Sequence, residues 1–393
     1  MKSRNEIIGR LYLRLRNIAL RSLLLFTKAY SSEDLSGVDI REILVIKLDR
    51  IGDMVMATPI FRALKEKWPN AQISVLANPI NKNVIINNPF INCILVYDRE
   101  NKYKSFNSRL IFFRDIRGRE FDLVIDPYLD YELKTSFITR FVGNKFRLGF
   151  EFAGREIFYN IRHPAKAFPV FTEEKHTVDF YSDLISCLGV KADRQQPEIF
   201  LTSDEKEAAC QLLKSKGLWP EDKIIGIHPG AHYESQRWPV KRFAAVSDYL
   251  KTRYNVNVIL CTGPEENHLL SEFINYTDES PIVFENMDQR QFMSVLSYCK
   301  LFLCNNSGPL HIATALNIPT VSTMGPTIPF LWWPYGKDHI VLRKDVDCSP
   351  CKHGICKTHE CMELITTEDF IEAVERQIRV LDIFPSSKSS FRV

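Results

Sequence analysis

The chain has 393 residues, of which 45% are hydrophobic and 25% charged, and its formal net charge is +3 at pH 7. This composition is typical of a globular protein and excludes a disordered or fibrous one. The length is sufficient for two domains of ordinary size. The small net charge, without an arginine-rich or aromatic-basic motif, argues against a nucleic-acid partner.

Residues 1–38 differ in composition from the rest of the chain. Between Met1 and Lys28, seven basic residues accompany a single acid, Glu6, and alternate with leucine and isoleucine. This pattern predicts a basic amphipathic helix, which either lies on the cytoplasmic membrane surface or docks on its own protein. The longest uncharged run, residues 22–27, is far shorter than the roughly 20 apolar residues of a membrane span. No convincing cleavage site follows it, so a signal peptide is the poorer interpretation.

Beyond this helix, short β-rich runs alternate with helix-length segments. The first series of strand candidates is EILVIKL, AQISVLA, NCILVYD and FDLVIDP. After a polar stretch at residues 193–197, a second series follows: KIIGIHPG, VNVILCTG, LFLCNNSG and IPTVSTMG. The alternation predicts an α/β protein with two doubly wound halves, each built on a parallel sheet.

The predicted organisation has four parts: the helix over residues 1–38, a first domain over 39–195, a second over 196–381 and a tail over 382–393. In open parallel sheets, ligands bind beyond the carboxyl ends of the strands, where the strand order reverses. The residues that directly follow each strand are therefore the first candidates for function.

Asp53 is such a candidate, because it follows the first predicted strand in the segment KLDRIGDMVMATP. Gly52 beside it allows the backbone to bend or a ligand to approach closely. On residue type alone, the carboxylate is either a functional group at the strand end or a cap of the following helix.

The stretch LCNNSGPLHIATAL predicts a strand, a turn with Asn306, Ser307 and Gly308, and a helix that starts near Pro309 and has His311 in its first turn. A helix start of this kind offers free N–H groups and a positive dipole end to an anion. The alternative is an ordinary strand-to-helix turn that Ser307 or Asn306 caps.

Four of the ten cysteines stand apart. Six lie in apolar segments, which favours buried free thiols in a reducing compartment. The other four lie in CSPCKHGICKTHEC with the spacing C-x2-C-x4-C-x4-C; they are Cys348, Cys351, Cys356 and Cys361. Four such ligands predict a structural zinc or iron site. Free thiols and disulfides are the alternatives.

The segment ILVIKLDRIGDMVMATPIFRALKEKWPNAQISVLANP resembles the start of the family 9 glycosyltransferases, the heptosyltransferases, through Lys47, Gly52 and Asp53. The resemblance continues through DLVIDP, KFRLGF, IGIHPGA, RWPVKRFA, LCTGPEE, NNSGPLHIATALNIPTVSTMGPT and the terminal CSPC, and it covers roughly residues 41–381. The order and spacing of these motifs carry the resemblance.

The resemblance implies a GT-B fold, in which two Rossmann-like domains face each other across a cleft. It implies inverting, metal-independent transfer of heptose from ADP-heptose to a lipopolysaccharide core or a related lipid-linked surface glycan, with no cofactor for catalysis. Asp53 would take the proton of the acceptor hydroxyl. Such an enzyme would be cytoplasmic and peripheral at the inner membrane. The last helix, over residues 366–381, would cross back onto the first domain.

The resemblance also implies roles for individual residues. In the second domain, Arg237 would contact the diphosphate and Glu265 the ribose hydroxyls. The other donor-binding residues would be those of the strand-to-helix turns: Asn306, Ser307, Gly308, His311 and, one strand later, Thr327. A basic wall for a phosphorylated or carboxylated acceptor would comprise Lys47, Arg50, Lys134 and Arg147. The alternative for each charged side chain is simple solvation.

The chain departs from the family pattern at Gln236, where the family commonly has lysine, and at Asn306, where it often has an acid. Both departures lie on the donor side. They leave two other interpretations open: a GT-B transferase that uses another sugar nucleotide, or a catalytically silent protein that binds one.

Overall fold

The computed structural model describes residues 15–17, 29–31, 35, 37–152, 154–164, 174–192, 196–263, 266–351 and 354–384. Most of the predicted helix at residues 1–38, and most of the tail at 382–393, lie outside this part of the chain. The chain divides into two compact units, Met1–Gln195 and Gln196–Val393. In the described part, no helix has the length and hydropathy to cross a bilayer.

The first unit contains a parallel sheet of six strands in the order β3-β2-β1-β4-β5-β6. The strands are β1 Glu42–Lys47, β2 Gln72–Ala77, β3 Cys93–Val96, β4 Leu123–Asp126, β5 Phe146–Glu151 and β6 Ile161–Pro164. The chain therefore runs outward from β1 to β3 and then returns to the other side of β1. The strand order reverses between β1 and β4, which makes this the point where such sheets bind ligands.

Burial on both faces explains why β1 is an unbroken apolar run. Ile43, Leu44, Val45 and Ile46 have no exposed surface. A parallel sheet that helices cover on both sides requires this pattern rather than an alternating one.

In the described part from residue 37 onward, four helices connect these strands and a fifth follows β6. They are α1 Ile51–Lys67, α2 Lys82–Ile85, α3 Phe106–Arg117, α4 Lys134–Val142 and α5 Thr177–Ser186. Helix α1 packs against α5, and α3 packs against α4. Leu44 and Ile46 of β1 join Phe121 and Val142 in one apolar core.

The second unit repeats this winding. Its parallel sheet has the order β12-β11-β10-β7-β8-β9. The strands are β7 Ile224–His228, β8 Asn257–Cys261, β9 Ile282–Phe284, β10 Leu301–Asn305, β11 Thr320–Thr323 and β12 His339–Leu342. The order reverses between β7 and β10. The expected α/β fold with two doubly wound sheets is thus confirmed.

The helices of the second unit are α6 Ser203–Ser215, α7 Val240–Tyr254, α8 Asn267–Tyr276, α9 Gln289–Leu296, α10 Gly308–Ala315, α11 Pro329–Trp332, α12 Glu360–Glu363 and α13 Thr367–Val380. Helix α13 was expected to cross back onto the first domain. Within its own unit, it packs against α7, β11 and β12. Its Phe370 is fully buried and stacks on Trp238, with ring centroids 4.7 Å apart. An apolar helix face that completes the second core explains this placement.

Candidate active site

Asp53 lies at the carboxyl edge of the first sheet, in the first turn of α1, which follows β1 directly. Its Oδ2 accepts a hydrogen bond from the backbone N–H of Arg50 at 3.3 Å, and Arg50 is the N-cap residue. The carboxylate of Asp53, at the third helical position, thus forms one of the two hydrogen bonds of a capping box. Burial raises the pKa of Asp53, against the opposing charges of Lys47 and Arg50.

Lys47 and Asp49 form a buried ion pair next to this helix start. The Lys47 side chain has no exposed surface, and its Nζ lies 2.5 Å from Asp49 Oδ2. The same Nζ donates to Tyr181 Oη on α5 at 2.6 Å. The prediction that Lys47 lines an open acceptor wall therefore differs from the structure, in which its ammonium is buried and bonded to Asp49 and Tyr181. The sequence analysis did not single out Asp49.

Asp49 has an unusual environment for a carboxylate. Its Oδ1 is buried and has no hydrogen-bond partner among the described residues. Burial raises the pKa of Asp49 to about 7; Lys47 opposes this shift and the charge of Asp53 adds to it. A carboxyl group with a pKa near neutrality is a feature of functional sites.

Two asparagines fix the backbone that carries these charges. Asn78 Nδ2 donates to the carbonyl oxygens of Leu48, at 3.1 Å, and Asp49, at 2.7 Å. Asn81 is fully buried, and its Nδ2 donates to the carbonyls of Lys47, at 3.0 Å, and Asp49, at 2.9 Å. The loop between β1 and α1 is thus held by side chains that follow the neighbouring strand β2.

A second buried ion pair lies at the end of β4, across the switch point. Arg155 Nη2 lies 2.8 Å from Asp126 Oδ2, and neither side chain is exposed. Tyr159 Oη donates to the same oxygen at 2.6 Å. Arg155 Nη1 also donates to the carbonyls of Tyr128, at 2.6 Å, and Asp130, at 3.0 Å. This network holds the loop after β4 at the same sheet edge as Asp53.

A cavity of about 1110 Å³ opens at this edge and reaches Leu48 and Tyr128. Aromatic rings and cations share its wall, among them Tyr97, Phe106, Phe113, Phe137, Lys134 and Arg140. Lys134 is the first residue of α4, 66% exposed, and its Nζ is 3.0 Å from Glu132 Oε2. Such a surface suits a ligand with both apolar and anionic parts.

Arg147 was expected in the same basic wall, but it lies elsewhere. It is the second residue of β5, so it stands at the amino edge of the sheet, where it pairs with Val124. Its guanidinium donates to the carbonyl oxygens of Phe158, at 3.0 Å, and Gly143, at 3.4 Å. The expectation for Arg147 is wrong, because Asp53 lies at the opposite, carboxyl edge.

In the second unit, Asn305 joins the ends of three strands. It is fully buried, and its Oδ1 accepts from the backbone of Trp238, at 2.9 Å, and from Thr323 Oγ1, at 2.8 Å. Its Nδ2 donates to the carbonyls of Pro229, at 2.7 Å, and Gly230, at 3.2 Å. Every hydrogen-bonding atom of this amide is used, so the loops at this switch point are fixed from within.

The predicted strand-to-helix turn follows Asn305 directly. Ser307 is the N-cap of α10, which begins at Gly308, one residue before the predicted start. Asn306 is buried, and its Nδ2 donates to the carbonyl of Trp332 at 2.8 Å. His311 is also buried, inside the helix. The side chains of Asn306 and His311 thus lie within the protein, whereas Ser307 and Gly308 are partly exposed at the helix start.

Arg237 and Thr327 lie on loops at the same sheet edge. Arg237 Nε donates to the carbonyl of Ala231 at 3.1 Å. Thr327 Oγ1 accepts from Gln236 Nε2 at 3.1 Å, so the residue that departs from the family pattern supports the turn after β11. Arg343, which the sequence analysis missed, directly follows β12 and donates to the Gly325 carbonyl at 2.8 Å, so it supports this turn.

Glu265, the predicted ribose contact, lies outside the described residues. The neighbouring Glu266 is at the sheet edge, where its Oε2 accepts from the backbone of Gly263 at 2.7 Å and lies 3.7 Å from His228 Nε2. A Cβ at Gly230 would lie 2.0 Å from Glu266 Oε1, so a side chain there would displace this carboxylate.

The four-cysteine segment does not form the predicted metal site. In the described part, which omits residues 352 and 353, no group of three or more His, Cys, Asp or Glu side chains is arranged to hold a metal. The thiols are free and differ in environment, because Cys348 is exposed and Cys361 is buried. The backbone at Gly325 lies against Cys361, whose Sγ would be 2.8 Å from a Cβ there. Burial raises the pKa of the Cys361 thiol, and the charges of Cys348, Cys351 and Cys356 add to this shift.

Comparison with known sequences gives relatives over most of the chain. A lipooligosaccharide heptosyltransferase 2 of Campylobacter jejuni is 26% identical over 335 residues, which are 83% of this chain and 96% of that protein. The lipopolysaccharide heptosyltransferase 3 of Escherichia coli K12 is 23% identical over 334 residues, or 83% of this chain and 94% of that protein.

Solved structures show the same fold. A family 9 glycosyl transferase from Veillonella parvula matches 87% of this chain and 98% of its own, with a TM-score of 0.74 and 23% identity. The ADP-heptose heptosyltransferase II of Escherichia coli matches 87% of this chain and 99% of its own, with a TM-score of 0.70 and 21% identity. The expected GT-B fold is confirmed. The sequence profile of glycosyltransferase family 9 (heptosyltransferase) matches residues 109–362, and the chain belongs to this family of transferases.

Proposed function

We propose that this protein is an inverting, metal-independent heptosyltransferase that moves heptose from ADP-heptose to a lipopolysaccharide core or a related surface glycan. The observation that carries the proposal is Asp53, a half-buried carboxylate with a raised pKa at the switch point of the first sheet, whose carboxyl edge also carries a cavity with aromatic and cationic walls. The named relatives act on lipooligosaccharide and lipopolysaccharide, which supports a glycan of this class as acceptor.

In the proposed reaction, Asp53 accepts the proton of an acceptor hydroxyl. The oxygen of that hydroxyl forms the new bond to the sugar carbon. The bond from that carbon to the phosphate oxygen breaks, and its electron pair leaves with ADP. Attack from the face opposite the leaving group inverts the carbon. A positioned base contributes on the order of 10²- to 10⁴-fold to such a step, and the raised pKa of Asp53 makes it a stronger base than an exposed carboxylate.

The second unit holds the groups proposed to bind the nucleotide. The start of α10 at Ser307 and Gly308 presents N–H groups and the positive end of a helix dipole. Arg237 and Thr327 lie on loops at the same edge, and we assign them to the diphosphate. These groups would stabilise the charge that develops on the leaving diphosphate.

The acceptor side is proposed for the first unit. Lys134 and Arg140 lie in the cavity wall beside aromatic rings, which suits an anionic glycan attached to a lipid. Such an acceptor lies in a membrane, so we further propose that the protein works at the cytoplasmic membrane surface, with the basic segment at residues 1–38 as its contact.

A screen against a panel of sugar nucleotides tests this function, with product formation on a lipopolysaccharide core acceptor detected by mass spectrometry. We expect turnover with ADP-heptose and none with UDP or GDP sugars. Turnover with only a different sugar nucleotide would reject the donor. Binding of ADP-heptose without turnover on any acceptor would favour a silent sugar-nucleotide-binding protein.

A further inference from the structure

The described part of the four-cysteine segment comprises residues 348–351 and 354–361, and it has no part in the reaction proposed above. It forms hydrogen bonds with two loops of the second unit, which are residues 231–237 and the turn at residues 325–327. Both loops carry residues that we assign to the diphosphate. The four-cysteine segment therefore lies where it can set the geometry of the nucleotide site.

Ser235 is the point at which the four-cysteine segment holds the first loop. This residue is 2% exposed, and its backbone N–H donates to the carbonyl oxygen of Gly354 at 3.1 Å. Its own carbonyl oxygen lies 3.0 Å from Nε2 of His359, and because a carbonyl only accepts, Nε2 carries the hydrogen of this bond. Both backbone polar groups of Ser235 thus have partners in the four-cysteine segment. Losing one of these bonds would leave a buried backbone group unsatisfied, which is costly.

Arg237 follows Ser235 in the same short turn, so the position of one depends on the position of the other. Residues Glu234–Gln236 form a 3-10 helix, and the backbone N–H of Arg237 donates to the carbonyl of Glu234 at 2.9 Å. The guanidinium Nε donates to the carbonyl of Ala231 at 3.1 Å. A displacement of Ser235 would therefore be passed through this loop to the guanidinium of Arg237.

The four-cysteine segment also holds the second loop. Ser349 Oγ donates to the carbonyl of Gly325 at 2.7 Å, and the backbone N–H of Cys351 donates to the carbonyl of Pro326 at 2.9 Å. Both loops are thus tied to one segment. The spacing of the residues that we assign to the diphosphate depends on these ties.

His359 provides the side chain through which the first of these ties can be changed. It is the N-cap residue of α12, but its side chain caps no N–H of that helix. Its backbone φ is 51°, an uncommon value for a residue other than glycine, and its N–H donates to Cys356 Sγ at 3.4 Å. The imidazole thus bonds to Ser235 rather than to its own helix.

We propose that His359 is a positioning residue for the nucleoside diphosphate: its imidazole N–H holds the carbonyl of Ser235, and the loop that this bond fixes directs Arg237 at the diphosphate. His359 acts through Arg237 and does not contact the nucleotide itself. This inference rests on the proposed role of Arg237 in donor binding. It gives the four-cysteine segment, which lies far along the chain from Arg237, a part in binding the donor.

Calorimetry with ADP on the full-length protein tests this inference, with the wild type, His359→Leu and His359→Gln. Leucine removes the hydrogen bond, whereas the amide of glutamine offers an N–H at a similar distance from the backbone. Neither residue favours a positive φ, so the two variants share that cost. We expect the affinity for ADP to fall by about tenfold in His359→Leu and to stay within about threefold of the wild type in His359→Gln. Equal losses in the two variants would overturn the inference, because the hydrogen bond would then not matter.

His339→Leu is the matched control, since His339 lies at the opposite, amino edge of the same sheet, where its Nδ1 is 3.0 Å from Thr320 Oγ1. It should leave the affinity for ADP unchanged. A wild type that bound no ADP would reject the proposed function itself. A wild type and a His359→Leu variant that bound ADP equally well would overturn only the inference about His359, so the two failures are distinguishable.

A double-mutant cycle separates the positioning of Arg237 from a general loss of structure. The affinity for ADP is measured for Arg237→Gln, for His359→Leu and for the double variant. We expect the double variant to bind ADP as Arg237→Gln does, within about twofold, because His359 then has no guanidinium to position. Losses that multiply, to about a hundredfold, would show that His359 acts independently of Arg237 and would overturn the inference.

Discussion

At the switch point of the first sheet, charged or ionisable side chains meet in buried or half-buried positions: Lys47 ends β1, Asp49 and Asp53 follow it, and Asp126 ends β4. At the corresponding point of the second sheet, the buried side chain that joins the strand ends is a neutral amide, Asn305. The two sheets have the same strand order. The same strand order therefore places different kinds of side chain at the two switch points.

The difference follows from what each edge is proposed to do. Proton transfer needs a carboxylate whose pKa the protein has raised, and burial beside other charges achieves this. Binding a diphosphate needs donors that are already oriented, and neutral amides with saturated hydrogen bonds orient loops without adding charge. The comparison predicts that the first edge is sensitive to changes of charge and the second to loss of hydrogen bonds.

The largest effect is expected for Asp53→Asn. Transfer of heptose should fall by about 10²- to 10⁴-fold, because the base is lost. Measuring product formation and the affinity for ADP in the same preparation checks this, and ADP binding should be unchanged. Undiminished product formation would show that Asp53 is not the base, and the proposed difference between the two switch points would then fail.

The next effect concerns stability. Arg155→Met leaves Asp126 buried without its cation, and we expect the unfolding free energy to fall by about 3–5 kcal/mol. Urea unfolding of the full chain provides the measurement. Arg290→Met, which breaks the partly exposed pair with Glu205 in the second unit, is the matched control and should cost about 1 kcal/mol. Equal losses of unfolding free energy in the two variants would contradict the expectation that the buried pair at the first switch point matters more for stability than the partly exposed pair.

For the second switch point, Asn305→Ala should cost about 2–3 kcal/mol, because it leaves buried backbone groups without partners. It should also weaken ADP binding, since the loops that it joins carry the proposed site. Asn257→Ala, at the amino edge of the same unit, serves as control in calorimetry. Full ADP affinity in Asn305→Ala would show that Asn305 does not contribute to the proposed nucleotide site.

A smaller effect is expected for Arg237→Gln, which removes a cation from the proposed diphosphate site. The affinity for ADP should fall by about tenfold, the equivalent of one charge-assisted hydrogen bond. Arg253→Gln, near the end of α7, is the control and should leave the affinity unchanged. If the two variants bound ADP equally well, Arg237 would have no role in donor binding.

The sequence predicts much of this architecture because the strand signals are strong. All eight strand candidates are present in the two sheets. Four strands had no such prediction: β5, β6, β9 and β12. Strands β6, β9 and β12 have only three or four residues each, and none of them contains more than three apolar residues. Strand β5 contains an arginine and a glycine. Strands at or near a sheet edge that are short or interrupted by polar residues lack the long apolar run that identifies the inner ones.

The site was predictable only in part. The positions of Asp53 and Ser307 after their strands follow from the pattern, but the burial of Lys47 depends on tertiary packing against Tyr181. A signal for Asp49 was present, because residues i and i+2 of an extended segment point to the same side, which places Asp49 with Lys47. Arg147 lies near the start of β5 rather than at its end, and this strand carries no apolar run from which its bounds could be predicted.

The division of roles between the two switch points can be tested by hydrogen–deuterium exchange of the full chain with and without ADP. The account predicts protection at the start of α10, around Ser307 and Gly308, and in the turn that ends at Thr327. Exchange at residues 47–53 should be unaffected by ADP alone. Protection at residues 47–53 without any change near Ser307 would contradict it, because the nucleotide would then bind at the edge that carries the proposed base.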